Sequence, residues 1–183
     1  MPEISSEPWT RGCLQVYTGD GKGKTTAAFG LALRAAGRGL PVFIGQFMKG
    51  YEYGEIFAVR RFSGLVTVEQ FGSETCIPWK EAPAEVDVKL AAAGLGRCRE
   101  ILELAKHKIV VLDEISVAVH FRLIEEADLL DLVDSRPHGV ELVCTGRYAP
   151  KALIERADLV TEMKEIRHPF NTEKLSARDG IER

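Results

Sequence analysis

Short apolar runs and longer amphipathic stretches alternate along this chain of 183 residues. Runs rich in β-branched residues predict strands, and apolar side chains that recur every three to four residues predict helices. The predicted strands cover residues 13–18, 41–47, 65–71, 108–113, 140–144 and 159–163. The predicted helices cover residues 25–38, 55–62, 84–106, 125–135 and 150–157. This alternation predicts an α/β fold with a mainly parallel sheet and flanking helices.

Two stretches depart from this pattern. Residues 72–83 contain Gly, Ser, two Pro and Trp79, which predicts a loop. From Arg167 onward the chain becomes polar and loses its periodicity, so we expect an irregular tail over residues 167–183. Residues 1–12 precede the first strand as an N-terminal extension. We expect one domain over residues 1–183, without an internal repeat.

Length and composition exclude several classes of protein. A chain of this length buries about 70% of its unfolded surface, which suits one core better than two. Its 24 basic and 27 acidic residues nearly balance, which argues against a nucleic-acid binder. There is no apolar run of about 18 residues and no signal peptide, so we expect a cytoplasmic protein with no membrane span. The four cysteines form no close pair and are interpreted as free thiols near the core.

The strongest chemical signal is a glycine-rich loop between the first strand and the first helix. Its glycines allow a tight turn with inward N–H groups, and the helix N-terminus adds a favourable dipole. A lysine supplies positive charge, and a threonine hydroxyl can reach a magnesium ion. Thr18 stands where the general motif has its first glycine. The alternative is a flexible turn that caps the helix. The predicted phosphate-binding residues are Gly19, Asp20, Gly21, Lys22, Gly23, Lys24, Thr25 and Thr26.

A phosphate site of this kind needs a carboxylate at the end of a buried strand. Asp113 and Glu114 follow the apolar strand at residues 108–113 and fit that position. In an open α/β sheet, ligands bind at the edge formed by the carboxyl ends of the strands. Hard cations such as Mg²⁺ prefer oxygen ligands, which a carboxylate supplies. We therefore predict that Thr25 with Glu114 or Asp113 holds the metal, with Glu114 as the first choice. The alternative is an acidic residue that caps a helix over residues 115–121.

Three further residues are weaker candidates. Lys49 follows the second strand and Arg147 follows the fifth, both at the edge where the phosphate loop lies. Either residue could neutralise a polyphosphate, but a solvated lysine and a surface ion pair are equally good interpretations. Trp79 lies in the predicted loop, where a loop-anchoring aromatic is the alternative. The four histidines show no ligand spacing, and none is assigned a role.

Together these segments resemble the corrinoid adenosyltransferases of the type that uses ATP with cob(I)alamin or cob(I)yrinic acid a,c-diamide. The matching segments are VYTGDGKGKTTAAFGLALRAAGRG, GQFMKG, VVLDEI, TGR, and RHPF with a late ARDGIE. The resemblance covers nearly the whole chain, from Leu14 to Glu182. It implies the fold of RecA-like P-loop NTPases and a role in cobalamin biosynthesis or salvage.

The resemblance also implies a reaction. The 5′-deoxyadenosyl group of ATP is transferred to the cobalt(I) of a reduced corrinoid, and triphosphate is released. Cobalt(I) is itself the nucleophile, so the chain needs no nucleophile of its own. Catalysis then comes from aligning the two substrates and from neutralising the departing triphosphate. Lys24 would supply the main charge, and Mg²⁺ or Mn²⁺ would be the metal.

By the same resemblance, the loop around Trp79 lies near the corrin and helps to remove an axial ligand before reduction. Ile77 stands where some relatives carry an aromatic residue. The family further implies a homodimer and a flavoprotein reductant. Two other functions remain open from the residues alone: a P-loop ATPase or small-molecule kinase, and a non-catalytic carrier of corrinoid or nucleotide.

Overall fold

Six parallel strands form one sheet in the computed structural model, which describes residues 9–61, 64–73 and 83–182. The strand order across the sheet is β3-β2-β4-β5-β1-β6. The predicted α/β fold with a parallel sheet is therefore confirmed. The strands are β1 (Leu14–Thr18), β2 (Val42–Phe47), β3 (Val66–Phe71), β4 (Ile109–Asp113), β5 (Glu141–Thr145) and β6 (Leu159–Glu162).

Helices cover both faces of the sheet. Among the described residues they are α1 (Lys24–Ala36), α2 (Gly54–Val59), α3 (Glu85–Leu104), α4 (Ile115–His120), α5 (Glu126–Asp134), α6 (Lys151–Arg156) and α7 (Pro169–Glu173). In this part of the chain, no helix has the length and the apolar composition that a membrane crossing requires. The stretch expected as an irregular tail contains α7 and is otherwise made of turns and non-repetitive backbone.

The interior strands β2 and β4 are buried along their whole length, because helices pack on both sides of them. Successive side chains of a strand point to opposite faces of its sheet. Accordingly, Ile44 and Val111 pack with the alanine-rich face of α1 in one apolar cluster. Phe43 and Leu112 pack in the other cluster, together with buried residues of α3 and α5. The apolar runs that predict these strands are thus explained by burial on two faces.

Helix α3 runs through two glycines that would weaken an exposed helix. A Cβ atom at position 94 would lie 2.4 Å from Cγ of Phe71, so the close approach of α3 to β3 requires Gly94. No atom lies within 4 Å of a Cβ built at Gly96. The helix ends at Leu104, and Ala105 follows in the left-handed region at a φ of 49°. The predicted helix over residues 84–106 is therefore present, slightly shorter at both ends.

Candidate functional site

The carboxyl ends of β2, β4, β5 and β1 are neighbours at one edge of the sheet, where ligands bind in open α/β folds. A cleft of about 700 Å³ lies there. Gly19 and Asp113 lie beside the cleft but do not line it, and Trp79 and Ile77 lie outside the described residues. Ten predicted site residues line the cleft: Asp20, Gly21, Lys22, Gly23, Lys24, Thr25, Thr26, Lys49, Glu114 and Arg147.

The glycine-rich loop owes its shape to backbone conformations that other residues rarely adopt. Gly19 and Gly23 have φ angles of 94° and 121°. The backbone N–H of Gly21 donates a hydrogen bond of 2.7 Å to the carbonyl oxygen of Met163. A Cβ at Gly19 would lie 2.4 Å from that same oxygen. The loop is therefore fitted against the chain that follows β6 as well as being positioned at the start of α1.

Lys24 begins α1 and lies buried in the loop. Its Nζ donates hydrogen bonds to the carbonyl oxygens of Gly19 (2.6 Å) and Gly21 (2.7 Å). Burial lowers the pKa of the Lys24 ammonium, and this effect outweighs the opposing attraction of Glu114. The ammonium therefore lies within the glycine-rich turn, held by two of its carbonyl oxygens.

Asp113, at the end of β4, joins four side chains from different segments. It is fully buried. Its Oδ1 accepts hydrogen bonds from the hydroxyls of Thr25 (2.9 Å) and Thr145 (2.7 Å). Its Oδ2 accepts from Nε2 of Gln46 (3.1 Å) and Nζ of Lys49 (2.8 Å). Both carboxylate oxygens are thus engaged inside the protein, which suits Asp113 to orienting the residues that line the cleft.

Lys49 is held at the site by an acidic environment. Its side chain is only 14% exposed, so the solvated-lysine interpretation does not describe it. Burial alone would lower the pKa of Lys49, but Asp113 outweighs that effect, with help from Glu114 and Glu55, and the pKa is raised. The ring centroid of Tyr53 lies 5.3 Å from the ammonium. Lys49 is therefore a fixed positive charge at the wall of the cleft.

Glu114 has a left-handed backbone conformation, with a φ of 61°. Positive φ values are uncommon outside glycine and often mark functional positions. The Glu114 N–H donates to Oγ1 of Thr145 (3.0 Å), and its side chain lines the cleft without capping α4. The helix-capping alternative is therefore not what the structure shows. Burial, followed by the charge of Asp113, raises the pKa of the Glu114 carboxyl.

Arg147 follows β5 and also lines the cleft. Across residues 9–61, 64–73 and 83–182 the Arg147 guanidinium forms no hydrogen bond and no ion pair, so the surface-pair alternative finds no partner there. Beside it, Tyr148 stacks on His120 with ring centroids 4.1 Å apart. Arg147 is therefore placed to bind an anion that enters the cleft.

Residues of the C-terminal tail also line this cleft, although the sequence patterns did not assign them to it. They come from the RHPF and ARDGIE segments, which lack apolar periodicity. Periodicity and spacing therefore do not predict that these residues lie near the phosphate loop. The one sequence signal for them is that both segments belong to the family resemblance. The tail residues at the cleft are His168, Gly180, Ile181 and Glu182.

A second, more apolar cleft of about 560 Å³ adjoins the first. Tyr51, Tyr53 and Phe57 supply its aromatic surface, and Tyr53 and Gly180 line both clefts. Tyr51 and Phe57 are each at least half exposed. The chain thus offers an aromatic surface directly beside the charged one.

The two buried thiols do not supply a nucleophile, and Cys76 lies outside the described residues. Cys98 and Cys144 are buried free cysteines, and Cys13 is half-buried. Burial raises the pKa of the Cys144 thiol to about 12 and that of Cys98 further still. Because the thiolate is the reactive form, both thiols stay protonated and inert at neutral pH. Within the described ranges, no three His, Cys, Asp or Glu residues are grouped so that they could hold a metal ion by themselves.

Comparison with known proteins agrees with this arrangement. Residues 10–183 match the family model described as ATP:corrinoid adenosyltransferase BtuR/CobO/CobP. A corrinoid adenosyltransferase of Sinorhizobium sp. is 35% identical over 174 residues, covering 94% of this chain and 80% of the relative. The corrinoid adenosyltransferase of Escherichia coli (strain K12) is 33% identical over 180 residues, covering 94% and 86%.

The fold has a more distant likeness among solved structures. A KaiC-like protein of Pyrococcus horikoshii superposes with a TM-score of 0.54 at 19% identity, covering 83% of this chain and 73% of that one. This likeness concerns the fold alone. The family match over most of the chain is more specific, and it shows that the chain belongs to the ATP:corrinoid adenosyltransferase family BtuR/CobO/CobP.

Proposed function

We propose that this chain transfers the 5′-deoxyadenosyl group of ATP to the cobalt(I) of a reduced corrinoid and releases triphosphate. The observation that carries the proposal is the gathering of Lys22, Lys24, Lys49 and Arg147 around one cleft. Such a cluster suits an anion with several charges. Membership of the adenosyltransferase family supports ATP and a corrinoid as the two substrates.

The reaction accounts for what the site contains. Cobalt(I) donates an electron pair to the ribose C5′, the cobalt–carbon bond forms, and the C5′–oxygen bond breaks. The electron pair of the broken bond leaves with the triphosphate. The corrinoid therefore supplies the nucleophile, and the chain must align the reactants and neutralise the leaving group. Buried, protonated thiols agree with that division of labour.

The four cations would share the triphosphate. Lys24 would exchange its bonds to the carbonyls of Gly19 and Gly21 for phosphate oxygens. Arg147, which forms no ion pair within the described residues, can offer a planar pair of N–H donors. Lys49 would contribute a charge whose position Asp113 fixes. In a partly buried cleft such charges act more strongly than in water.

The site fits a magnesium or manganese ion. The Thr25 hydroxyl donates to Asp113 and accepts one long hydrogen bond from Nζ of Lys49 (3.4 Å), which leaves a second lone pair on its oxygen. The Glu114 carboxylate lines the same cleft. Such an oxygen pair, completed by phosphate oxygens and water, is the kind of ligand set that Mg²⁺ takes. We propose that Thr25 and Glu114 hold the ion, and that Asp113 acts through Thr25 and Lys49. Bound there, the ion would neutralise phosphate charge.

The remaining features of the proposal rest on family membership. They are cob(I)alamin or cob(I)yrinic acid a,c-diamide as the corrinoid, Trp79 as a residue that assists reduction, a flavoprotein reductant, a homodimer and a cytoplasmic location. No nucleic acid or membrane takes part in the reaction as proposed.

One assay tests the reaction and its substrate together. The protein is incubated with ATP, Mg²⁺ and either chemically reduced cobalamin or reduced cobyrinic acid a,c-diamide. We expect a light-sensitive alkylcorrinoid spectrum and one triphosphate per corrinoid. Release of ADP or phosphate without an alkylcorrinoid would contradict the proposal and favour an ATPase or kinase. The relative rates with the two corrinoids identify the preferred substrate.

A further inference from the structure

The end of the chain returns to the phosphate loop and binds one of its lysines. Nζ of Lys22 donates to the carbonyl oxygen of Ile181 (2.8 Å) and to Oε1 of Glu182 (3.1 Å). Lys22 also lines the cleft, as do Ile181 and Glu182. A carboxylate of the tail therefore lies on a cation of the cleft in which we place the triphosphate.

The tail is shaped for this contact by its own hydrogen bonds. Glu182 accepts from the backbone N–H of Arg178 (2.9 Å) and from its Nε (3.2 Å) and Nη2 (3.1 Å). The N–H groups of Ile181 and Glu182 both donate to the carbonyl oxygen of Arg178. Gly180 allows this compact turn through its φ of 75°. We call residues 178–182 the C-terminal latch.

The latch uses donors that a polyphosphate needs. An ammonium has three N–H donors, and two of those on Lys22 are directed to the latch. The Glu182 carboxylate carries the same sign of charge as a phosphate, so the two groups repel each other at this position. A phosphate oxygen can bind Lys22 fully only after the latch has moved.

We propose that Glu182 competes with the polyphosphate for binding to Lys22. The latch leaves Lys22 when ATP binds and returns to Lys22 as the triphosphate departs. The proposal rests on the proposed function for the identity of the polyphosphate. A multiply charged product in a cationic cleft would otherwise leave slowly. A carboxylate tethered beside the cleft competes at a high local concentration without any added ligand.

The same movement would alter the neighbouring cleft. Gly180 lines both the charged cleft and the aromatic one, so the latch forms part of the wall between them. Displacing the latch would bring the aromatic surface of Tyr51 and Phe57 into contact with the charged cleft. Binding of the polyphosphate and joining of the two clefts are therefore coupled in this proposal.

The competition is expected to be modest, because Lys22 and Arg178 are about half exposed. Exposed ion pairs contribute up to about 1 kcal/mol, which corresponds to about a fivefold change in a binding constant. A weak latch suits a step that must reverse in every turnover. The test therefore measures small affinity differences directly.

The test compares Glu182→Gln with the unmodified protein in calorimetric titrations with inorganic triphosphate and MgCl₂ at low ionic strength. We expect about two- to fivefold tighter binding in the variant and a comparable fall in the inhibition constant of triphosphate in turnover. Glu182→Ala should bind at least as tightly as Glu182→Gln. Glu173→Gln, a matched change of charge in the same tail, should leave affinity unchanged. Unchanged or weaker binding in both Glu182 variants would overturn the proposal.

A double-mutant cycle locates the effect at Lys22. In a Lys22→Gln background, Glu182→Gln should no longer tighten binding, because the competitor has lost its target. An equal gain in both backgrounds would show a general charge effect and would also overturn the latch. These titrations need no corrinoid. If the double-mutant cycle gives the expected result and the adenosylation assay fails, only the proposed reaction is rejected. If the adenosylation assay succeeds and the double-mutant cycle does not give the expected result, only the latch is rejected.

Discussion

Nζ of Lys49 lies 2.8 Å from Oδ2 of Asp113, and this ion pair connects the loop after β2 to the end of β4. The other oxygen of Asp113 binds Thr25, at the start of α1, and Thr145, at the end of β5. One buried carboxylate thus sets the positions of a charged group and a hydroxyl that both line the cleft. The site is therefore built around a residue that does not itself reach the cleft.

Replacing Asp113 should damage both stability and activity. Asp113→Asn leaves Lys49 without its buried partner and sets an amide NH₂ against donors. Breaking a buried pair in this way costs about 3–5 kcal/mol. We expect a loss of this size in urea unfolding, together with loss of adenosyl transfer.

The control for that change is Asp131→Asn, which removes the exposed partner of Arg99. An exposed pair is worth about 1 kcal/mol at most, so this variant should unfold nearly as the parent does and remain active. If Asp113→Asn and Asp131→Asn lost the same unfolding free energy and the same activity, the buried hydrogen bonds of Asp113 would contribute no more than an exposed ion pair does.

The sequence predicted the strands that frame the site because burial leaves a clear pattern. The apolar runs of β2 and β4 identify interior parallel strands, and their polar ends place Lys49 and Asp113 at one edge. The glycine-rich loop likewise predicts where Lys24 lies. Each of these inferences depends only on local spacing and on the rule that parallel strands end at the same edge.

Two features of the site depend on the three-dimensional structure and leave no pattern in the sequence. The distinction between Asp113 and Glu114 depends on which side chain is buried and which lines the cleft, and neighbours in sequence do not reveal that. Lys22 and Glu182, which are in contact, lie 160 residues apart along the chain. Glu182 belongs to a polar stretch that has no apolar periodicity. Such a contact is formed by a few hydrogen bonds rather than by an apolar face, so no hydrophobic pattern in the sequence predicts it.

Lys24→Met should mainly affect the chemical step. The variant keeps most of the aliphatic bulk of the side chain but loses the charge that would bind the departing triphosphate. Loss of one preorganised electrostatic contact lowers turnover by about 10²–10³-fold. Single-turnover kinetics with pre-reduced cobalamin measure this directly. Lys151→Met, at a lysine whose side chain is 90% exposed, is the control and should retain the parental rate. A Lys24 variant with parental turnover would remove Lys24 from the mechanism.

Trp79→Ala separates reduction from transfer. If Trp79 helps to remove an axial ligand, the variant should lose more activity with cobalt(II) corrinoid and a reductase than with corrinoid already reduced to cobalt(I). Parallel assays with both starting materials give the ratio of the two losses. A ratio of one would remove Trp79 from the activation step.

Two glycines of α3 should respond to alanine in opposite directions. Gly94→Ala forces a Cβ against the Phe71 ring and should destabilise the protein by about 1–3 kcal/mol, the usual cost of overpacking. Gly96→Ala meets nothing within 4 Å and should stabilise the helix by about 0.5–1 kcal/mol. Urea unfolding of both variants tests the pair. The same sign in both would show that the contact with Phe71 does not determine the packing of α3.

Glu114→Gln should raise stability while it lowers activity. Burial raises the pKa of Glu114 in the folded protein above its unfolded value of 4.5. The folded state therefore favours the protonated carboxyl, and this contribution is lost as pH rises through the folded pKa. Glutamine carries no charge, so its advantage in unfolding free energy should be absent near pH 4 and should appear towards pH 8.

Activity should change in the opposite sense, because a neutral amide is a poorer magnesium ligand than a carboxylate. The variant should need a higher Mg²⁺ concentration for half-maximal adenosyl transfer. Glu155→Gln, at an exposed carboxylate, should change neither the pH dependence of stability nor the Mg²⁺ requirement. A Glu114 variant that is less stable than the parent at pH 8, or that has an unchanged Mg²⁺ requirement, would contradict its assignment as a buried metal ligand.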